Sequence, residues 1–333
     1  MDYLVVGWLG IIAFCVLMYV VLDGFTLGTG IILPFIRNPQ ERNLLYSAIL
    51  PTWDGNQTWL VLAGASLYGA FPLAFSILLP ALYFPIFIMI GALLLRGVVF
   101  EFRLKAKGPA IAQWDRLFIL GSIVVTFMQG MIVGTLVIGF TGSIEPQVIP
   151  HSNWLTPFSI FTGVSLIFGY ALLGATRMII KTENALQHRL YLIARCALFF
   201  VWVTLIVISL WTPFVDQYTR IKWFHSGNLA LLALLPVITT LAFIYCLFGL
   251  ISKKELAPYW SAIVIFCCTY LGFGYSIWPY MVPHTVTIWQ AAANQSSLSF
   301  VMVGACIMLP VLLIYTGYAY YIFRGKVNDV IQY

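Results

Sequence analysis

The stretch 16-VLMYVVLDGFTLGTGIILPF-35 sets one carboxylate, Asp23, among residues that are otherwise apolar, small or hydroxyl-bearing. About 20 such residues, rising about 1.5 Å each as a helix, cross the roughly 30 Å hydrocarbon core of a bilayer. Followed outward, this run becomes a span over 5–34. Windows of the same kind recur at 57–76, 78–100, 117–140, 155–180, 191–214, 229–251, 259–280 and 299–323, about nine crossings in all. Composition agrees: 62% of the 333 residues are hydrophobic, 8% are charged, and the mean hydropathy is +0.96. Those values lie far outside the range of a soluble domain. The sequence therefore predicts an all-α integral membrane protein, with residues 1–333 forming a single transmembrane domain. Count and connection length group spans one to four and five to eight as two four-helix bundles, with the ninth helix peripheral.

The net charge of +6 is explained by topology, not by nucleic acid. Of the 17 Lys and Arg, 15 fall in alternate connections and at the tail, while the opposite connections hold only Arg220 and Lys222. The positive-inside rule then places the amino terminus outside and the carboxyl terminus in the cytoplasm. The first apolar run starts too early, and without a basic leader, for a cleaved signal peptide, so it is expected to remain as span one.

An acid inside a bilayer costs about 2.5 to 3.5 kcal/mol on insertion scales and usually faces protein or water. Asp23 lies toward the inner end of span one, and Asp54, in 51-PTWDGNQTWLV-61, lies just before span two on the same side. Partial burial can raise such carboxylates toward neutrality and make them proton relays. Asn56, Gln57 and Thr26 could hold water between them, Thr26 lying one turn from Asp23. Asp54 reads equally well as an N-cap. Trp53 and Trp59 suit an interfacial aromatic belt and could wall the acid from lipid. The Asn56-Gln57-Thr58 sequon is read as accidental at this inner position. In 96-RGVVFEFRLKAK-107, Glu101 is expected to be a paired structural acid among Arg96, Arg103 and Lys105. Gln129, Arg195 and Asp216 are weaker signals. Gly24, Gly28 and Gly30 allow either close helix approach or bending. A short echo links 53-WDGNQTWL and 289-WQAAANQSSL and is too brief to read as a repeat.

The histidines, His151, His188, His225 and His284, all fall in connections, whereas buried haem or copper usually takes ligands from helices. Met18, Met128 and Met131, and the six cysteines (Cys15, Cys196, Cys246, Cys267, Cys268, Cys306), read as core residues. No phosphate loop, zinc spacing or nucleophile–base set is present. The residues alone leave a proton-handling or scaffold subunit, or a proton-coupled secondary transporter.

The chain resembles subunit II of the cytochrome bd family of quinol oxidases, including the cyanide-insensitive type. The matching residues are 23-DGFTLGTG-30, 53-WDGNQTWL-60, 96-RGVVFEFR-103, 278-WPYMVP-283 and 287-TIWQAAANQSSL-298, in the family's order over essentially the whole chain. The resemblance implies a bacterial plasma-membrane complex that oxidises quinol and reduces oxygen to water. It implies haem b, and haem d or a third haem b, in a partner subunit I, and none ligated by this chain. It implies a proton path from the cytoplasm through Asp23 and Asp54, and in some members a structural quinone and small single-helix accessory subunits. Two departures limit the transfer. Gln290 stands where many members carry an acid, so no charge-based role passes to it. The connection between spans six and seven is short, so no quinone or accessory-subunit contact is transferred there.

Overall fold

In the computed structural model of the chain, residues 2–140, 154–224 and 229–327 are described. With no water in the bilayer to satisfy backbone amides, a single-chain segment crosses as a helix. Among the described residues, eight helical segments are long and apolar enough to do so. They comprise α1 (Asp2–Ile32, prolonged by a 3₁₀ turn, Leu33–Phe35), α5 (Tyr83–Lys105), α6 (Ala110–Ile138) and α7 (Pro157–Lys181). The others are α8 (Asn184–Val215), most of α10 (Leu229–Ile251), α11 (Leu256–Ile277) and α13 (Gln295–Ile322). The all-α membrane fold is thus as the sequence predicts.

The expected second span is built differently. Residues 57–76 divide between α3 (Trp53–Ala70) and α4 (Pro72–Ala81), which break at Phe71 where Pro72 opens the next helix. The polar first turn of α3 lowers its hydropathy, but its 18 residues still rise about 27 Å. Two helices lie where the sequence suggested loops: the amphipathic α2 (Pro39–Ile49), burying Leu45, Tyr46 and Ile49, and the short α9 (Gln217–Phe224).

Helix starts follow local chemistry. Asn38 accepts from Gln40 N, with Pro39 at the first position of α2. Thr156 and Ser159 form a reciprocal capping box at α7. Thr287 and Gln290 form another at the short α12 (Ile288–Ala291), which follows a small hairpin of β1 (Tyr280–Val282) and β2 (Val286–Thr287). Gln290 therefore works as an uncharged acceptor. The sequence echo carries no shared role, because Asn294 caps α13 whereas Asn56 reaches across to another helix.

Helix α3 runs antiparallel to α1: Asn56 bonds Leu22, the Trp59 ring meets Phe14, and Ala70 packs with Val5 and Trp8. Helix α13 lies along α3 and α1, with Trp8 Nε1 of α1 donating to Leu298 O at one end and Tyr320 Oη donating to Asn56 Oδ1 of α3 at the other. It is mostly exposed, in keeping with a peripheral helix. Helices α1 and α7 meet backbone to backbone. A Cβ on Gly28 would lie 1.8 Å from Tyr170 O, and one on Gly174 would lie 2.4 Å from Gly28 C. Gly24 faces the Tyr170 ring and Gly30 faces Ser122, so close approach is what these glycines serve. Three cysteines, Cys15, Cys246 and Cys268, are buried, but Cys196 and Cys306 are exposed, which corrects their reading as core residues. They lie on outward faces of α8 and α13.

Candidate functional site

The α5 sequence repeats buried positions at Arg96, Val99, Phe100 and Arg103, one stripe of an apolar helix. Two cations on a buried stripe require counter-charges. Asp23 and Asp115 supply them.

Asp23 and Arg96 are both 0% exposed, and Arg96 Nη1 donates to Asp23 Oδ1 and Oδ2 at 3.1 and 3.0 Å. Arg96 Nη2 adds a bond of 3.1 Å to Oδ1 and also donates to Thr26 Oγ1. The Thr26 hydroxyl lies against the Asp23 carboxylate and 2.8 Å from the Asp23 carbonyl. Thr26 therefore contacts the acid directly, where sequence spacing suggested a water. The guanidinium sits 5.8 Å from the ring centroids of both Phe100 and Phe118. Arg96 Nε and Ser122 Oγ are buried without a partner.

On the far side of Asp23, Tyr170 Oη donates to Gln129 Oε1 at 2.8 Å and Gln129 Nε2 donates to Tyr19 Oη at 2.6 Å. Gln129, a weak signal in the sequence, thus joins α1, α6 and α7.

Asp54 is exposed in the first turn of α3, and Thr52, not Asp54, occupies the cap position. The N-cap reading is corrected accordingly, although an acid in the first turn still complements the helix dipole. Asn56 is buried, donating to Leu22 O and accepting from Tyr320 Oη, both at 2.9 Å. It thereby links the Asp54 turn to the residue before Asp23. Gln57 Nε2 is buried with no partner. Trp53 stacks on Phe100 at 4.6 Å. Trp59 is 0% exposed, packed with Cys15, Tyr19, Leu22 and Ala63, so it is a core residue and not part of an interfacial belt.

Glu101 is exposed and forms no ion pair among the described residues, so its expected pairing does not occur. Its helical position points away from the stripe that holds Arg96 and Arg103. Arg103 instead pairs with Asp115, Nε to Oδ1 at 2.6 Å, and Arg42 approaches Asp115 Oδ2 at 2.9 Å. Arg103 also bonds Asn43 and lies 3.7 Å over the Tyr46 ring. Asp115 escaped the sequence reading because it stands beside Arg116 in what looked like a charged connection; the spacing of Arg96 and Arg103 was the available signal. Asp216 accepts from the amides of Tyr218 and Thr219 and so caps α9. Arg195 leaves Nε buried without a partner.

The family model for cytochrome bd terminal oxidase subunit II matches residues 4–323. The chain belongs to that family. It is similar to the cytochrome bd-I ubiquinol oxidase subunit 2 of Escherichia coli K12, with 24% identity covering 96% of this chain and 94% of the relative. It is 26% identical to the cytochrome bd ubiquinol oxidase subunit 2 of Bacillus subtilis, with 96% of each chain covered. A chain of the solved bd oxidase from Geobacillus thermodenitrificans has the same fold, with a TM-score of 0.79 at 16% identity, covering 96% of this chain and 98% of that one. As subunit II of a cytochrome bd oxidase, this multi-pass membrane protein is part of an oxidoreductase complex whose family implies a subunit I and haems.

Both histidines among the described residues have polar neighbours. His188, expected in a connection, stands instead in the first turns of α8, where it is exposed and lies 3.1 Å from Lys253 Nζ; His284 turns Nε2 toward Asp216 at 3.5 Å. Met18, Met128 and Met131 lie in the helices, where Met131 is buried, and no cluster of three or more His, Cys, Asp or Glu gathers among the described residues. His151 and His225 lie outside the described residues.

Proposed function

We propose that the chain acts as one membrane unit that scaffolds a haem-binding subunit I and carries part of the route by which cytoplasmic protons reach the partner's oxygen-reducing site. Quinol is the electron donor and water the product. Electrons pass through the haems of subunit I, two of type b and one of type d or a third b. The chain lies in the bacterial plasma membrane with its amino terminus outside and its carboxyl terminus in the cytoplasm, an orientation that the distribution of Lys and Arg supports. A structural quinone and small single-helix subunits complete the assembly in the form that the resemblance implies.

One observation carries the proton-path reading. A carboxylate, Asp23, is held fully buried by a fixed cation, and Asn56, bonded to Leu22 beside it, lies in the same helical turn as the exposed Asp54. Asp54 faces water and is the entry for protons, and Asp23, held by Arg96, is the buried carboxylate that follows it.

The test uses the tagged chain purified with its partner in mild detergent. Asp54→Asn should retain the dithionite-reduced haem spectrum and slow quinol-driven oxygen uptake, because the amide keeps the size and loses the proton. Full haem content with wild-type uptake would remove Asp54 from the path. Wild-type chain that is folded and colourless would instead support a proton-coupled carrier that uses the same acids.

A further inference from the structure

Thr26 Oγ1 meets three polar groups but owns a single proton. Arg96 Nη2 donates to it. The hydroxyl itself has two acceptors in reach, the Asp23 carboxylate and, 2.8 Å away, the Asp23 carbonyl. One O–H serves one acceptor at a time and passes between the two by rotation about the side chain. Bonding a carbonyl one turn back is ordinary for a threonine in a helix, and Thr29, Thr126 and Thr135 do so. What differs at Thr26 is the acid beside it.

The second acceptor matters to an acid that takes up a proton. A carboxylate only accepts hydrogen bonds, whereas a carboxylic acid also carries a donor, and a buried donor needs an acceptor. Asp23, Thr26 and Arg96 are each 0% exposed, so bulk water does not supply one. The side chains bonded to the carboxylate are Arg96, which has donors alone, and Thr26. One lone pair of Thr26 Oγ1 receives Arg96. The other is open to an O–H of Asp23 once the threonine proton faces the carbonyl.

We propose that Thr26 is the positioning residue for proton uptake at Asp23, a hydroxyl that reverses its direction with the state of the acid. While Asp23 is a carboxylate, Thr26 donates to it. When a proton binds Asp23 Oδ1, the Thr26 proton turns to the Asp23 carbonyl, and Thr26 Oγ1 accepts from the new O–H. Departure of the proton reverses both turns. Thr26 keeps its own proton throughout, and Arg96 stays in place. The inference rests on the proton-path reading of Asp23.

The experiment measures haem content, thermal melting and oxygen uptake per haem in the complex purified with its partner, for Thr26→Val, Thr26→Ser, Asp23→Asn and Asp23→Asn/Thr26→Val. Valine keeps the branched shape and loses the hydroxyl, so uptake per haem should fall by about tenfold or more, the size of one hydrogen bond to a charged group. Thr26→Ser loses the methyl and keeps the hydroxyl, and should recover most of that rate. A packing role reverses this order, with serine the slower variant, and overturns the inference. A role in stability alone lowers melting or haem content while uptake per haem holds, and does the same. The double variant should be no slower than Asp23→Asn, because Thr26 acts through that acid; a further loss overturns the inference. Wild-type uptake in Thr26→Val, with Asp23→Asn slowed, overturns it and leaves the path through Asp23 standing, whereas wild-type uptake in Asp23→Asn overturns the path itself. If Thr26→Val does not assemble, Thr26→Cys, whose thiol is a weak donor and acceptor, is read against Thr26→Ser, and equal uptake in those two overturns the inference.

Discussion

Arg96→Met tests whether the Asp23 pair is held as tightly as its geometry indicates. Both side chains are 0% exposed, and three bonds of 3.0 to 3.1 Å join the guanidinium to the carboxylate. Removing one partner of such a pair costs about 3 to 5 kcal/mol, because the remaining charge is left in a low-dielectric interior. At about 1.4 kcal/mol per factor of ten, that shifts the folded population by roughly two to four orders of magnitude. In a chain of this length the fall in Tm is on the order of 5 to 10 °C. Methionine fills the volume of the arginine stem between Phe100 and Phe118, so cavity formation adds little. The double variant Asp23→Asn/Arg96→Met removes both charges and should regain most of the loss, since a buried pair replaced by neutral groups is often no less stable. Intrinsic fluorescence melts of the purified complex, with oxygen uptake measured in parallel, give the full cycle. The double variant should be stable and slow, which separates the structural part of Asp23 from the proton-carrying part proposed for it. Additive losses, with the double variant melting below both singles, would refute the reasoning, because the two charges would not then be compensating one another.

Two further outcomes follow from packing and from the tail. Gly28→Ala places a methyl 1.8 Å from Tyr170 O, so α1 and α7 must part at a cost of about 1 to 3 kcal/mol or more. Yield of assembled complex in size-exclusion chromatography should collapse, while Gly10→Ala, whose Cβ would meet nothing within 4 Å, should behave as wild type. At the carboxyl end, Lys326 Nζ bonds Glu255 Oε1 at 2.6 Å and Val327 N bonds Lys181 O at 2.9 Å. The hydrogen bond from Lys326 holds Glu255 below its ordinary 4.5, and the bond to Glu255 raises Lys326 above 10.5. The depressed acid stabilises the docked tail above pH 4.5 and loses that contribution as pH falls through its folded value. The raised amine stabilises it below pH 10.5 and loses that contribution as pH climbs through its own. Protease cleavage of the tail should therefore stay slow across neutral pH and accelerate at both extremes, with Glu255→Gln removing the acid limb and weakening the alkaline one.

Most of the fold was legible because crossing helices are long, apolar and uniform, so windows such as 155–180 and 229–251 land within a few residues of α7 and α10. The second span was the exception. Hydropathy averages over Phe71-Pro72 and cannot register that proline ends one helix and opens another. In the site, Asp23 was legible from its cost in lipid, and Thr26 from its one-turn spacing. The partner of Asp23 was not, because hydropathy treats an arginine near a span end as an interfacial anchor. Only the helical phase of Arg96 and Arg103 reveals that both face inward. The same averaging hid Asp115 beside Arg116, and assigned Trp59 to the interface when it packs in the core. Gln129 acts through two hydroxyls on other helices, a relation that no local spacing encodes.

The contact of Gly28 with Gly174 also bears on how the subunit can move. Where two helices touch through their peptide groups, no side chain can change rotamer to absorb a sliding motion, and no lipid tail can enter between them. The seam between α1 and α7 is thus a fulcrum and not a hinge. Asp23 sits on α1 little more than one turn from that fulcrum. A carboxylate so close to a rigid seam is held in place by the packing of the two helices, which is what the proposed path asks of it.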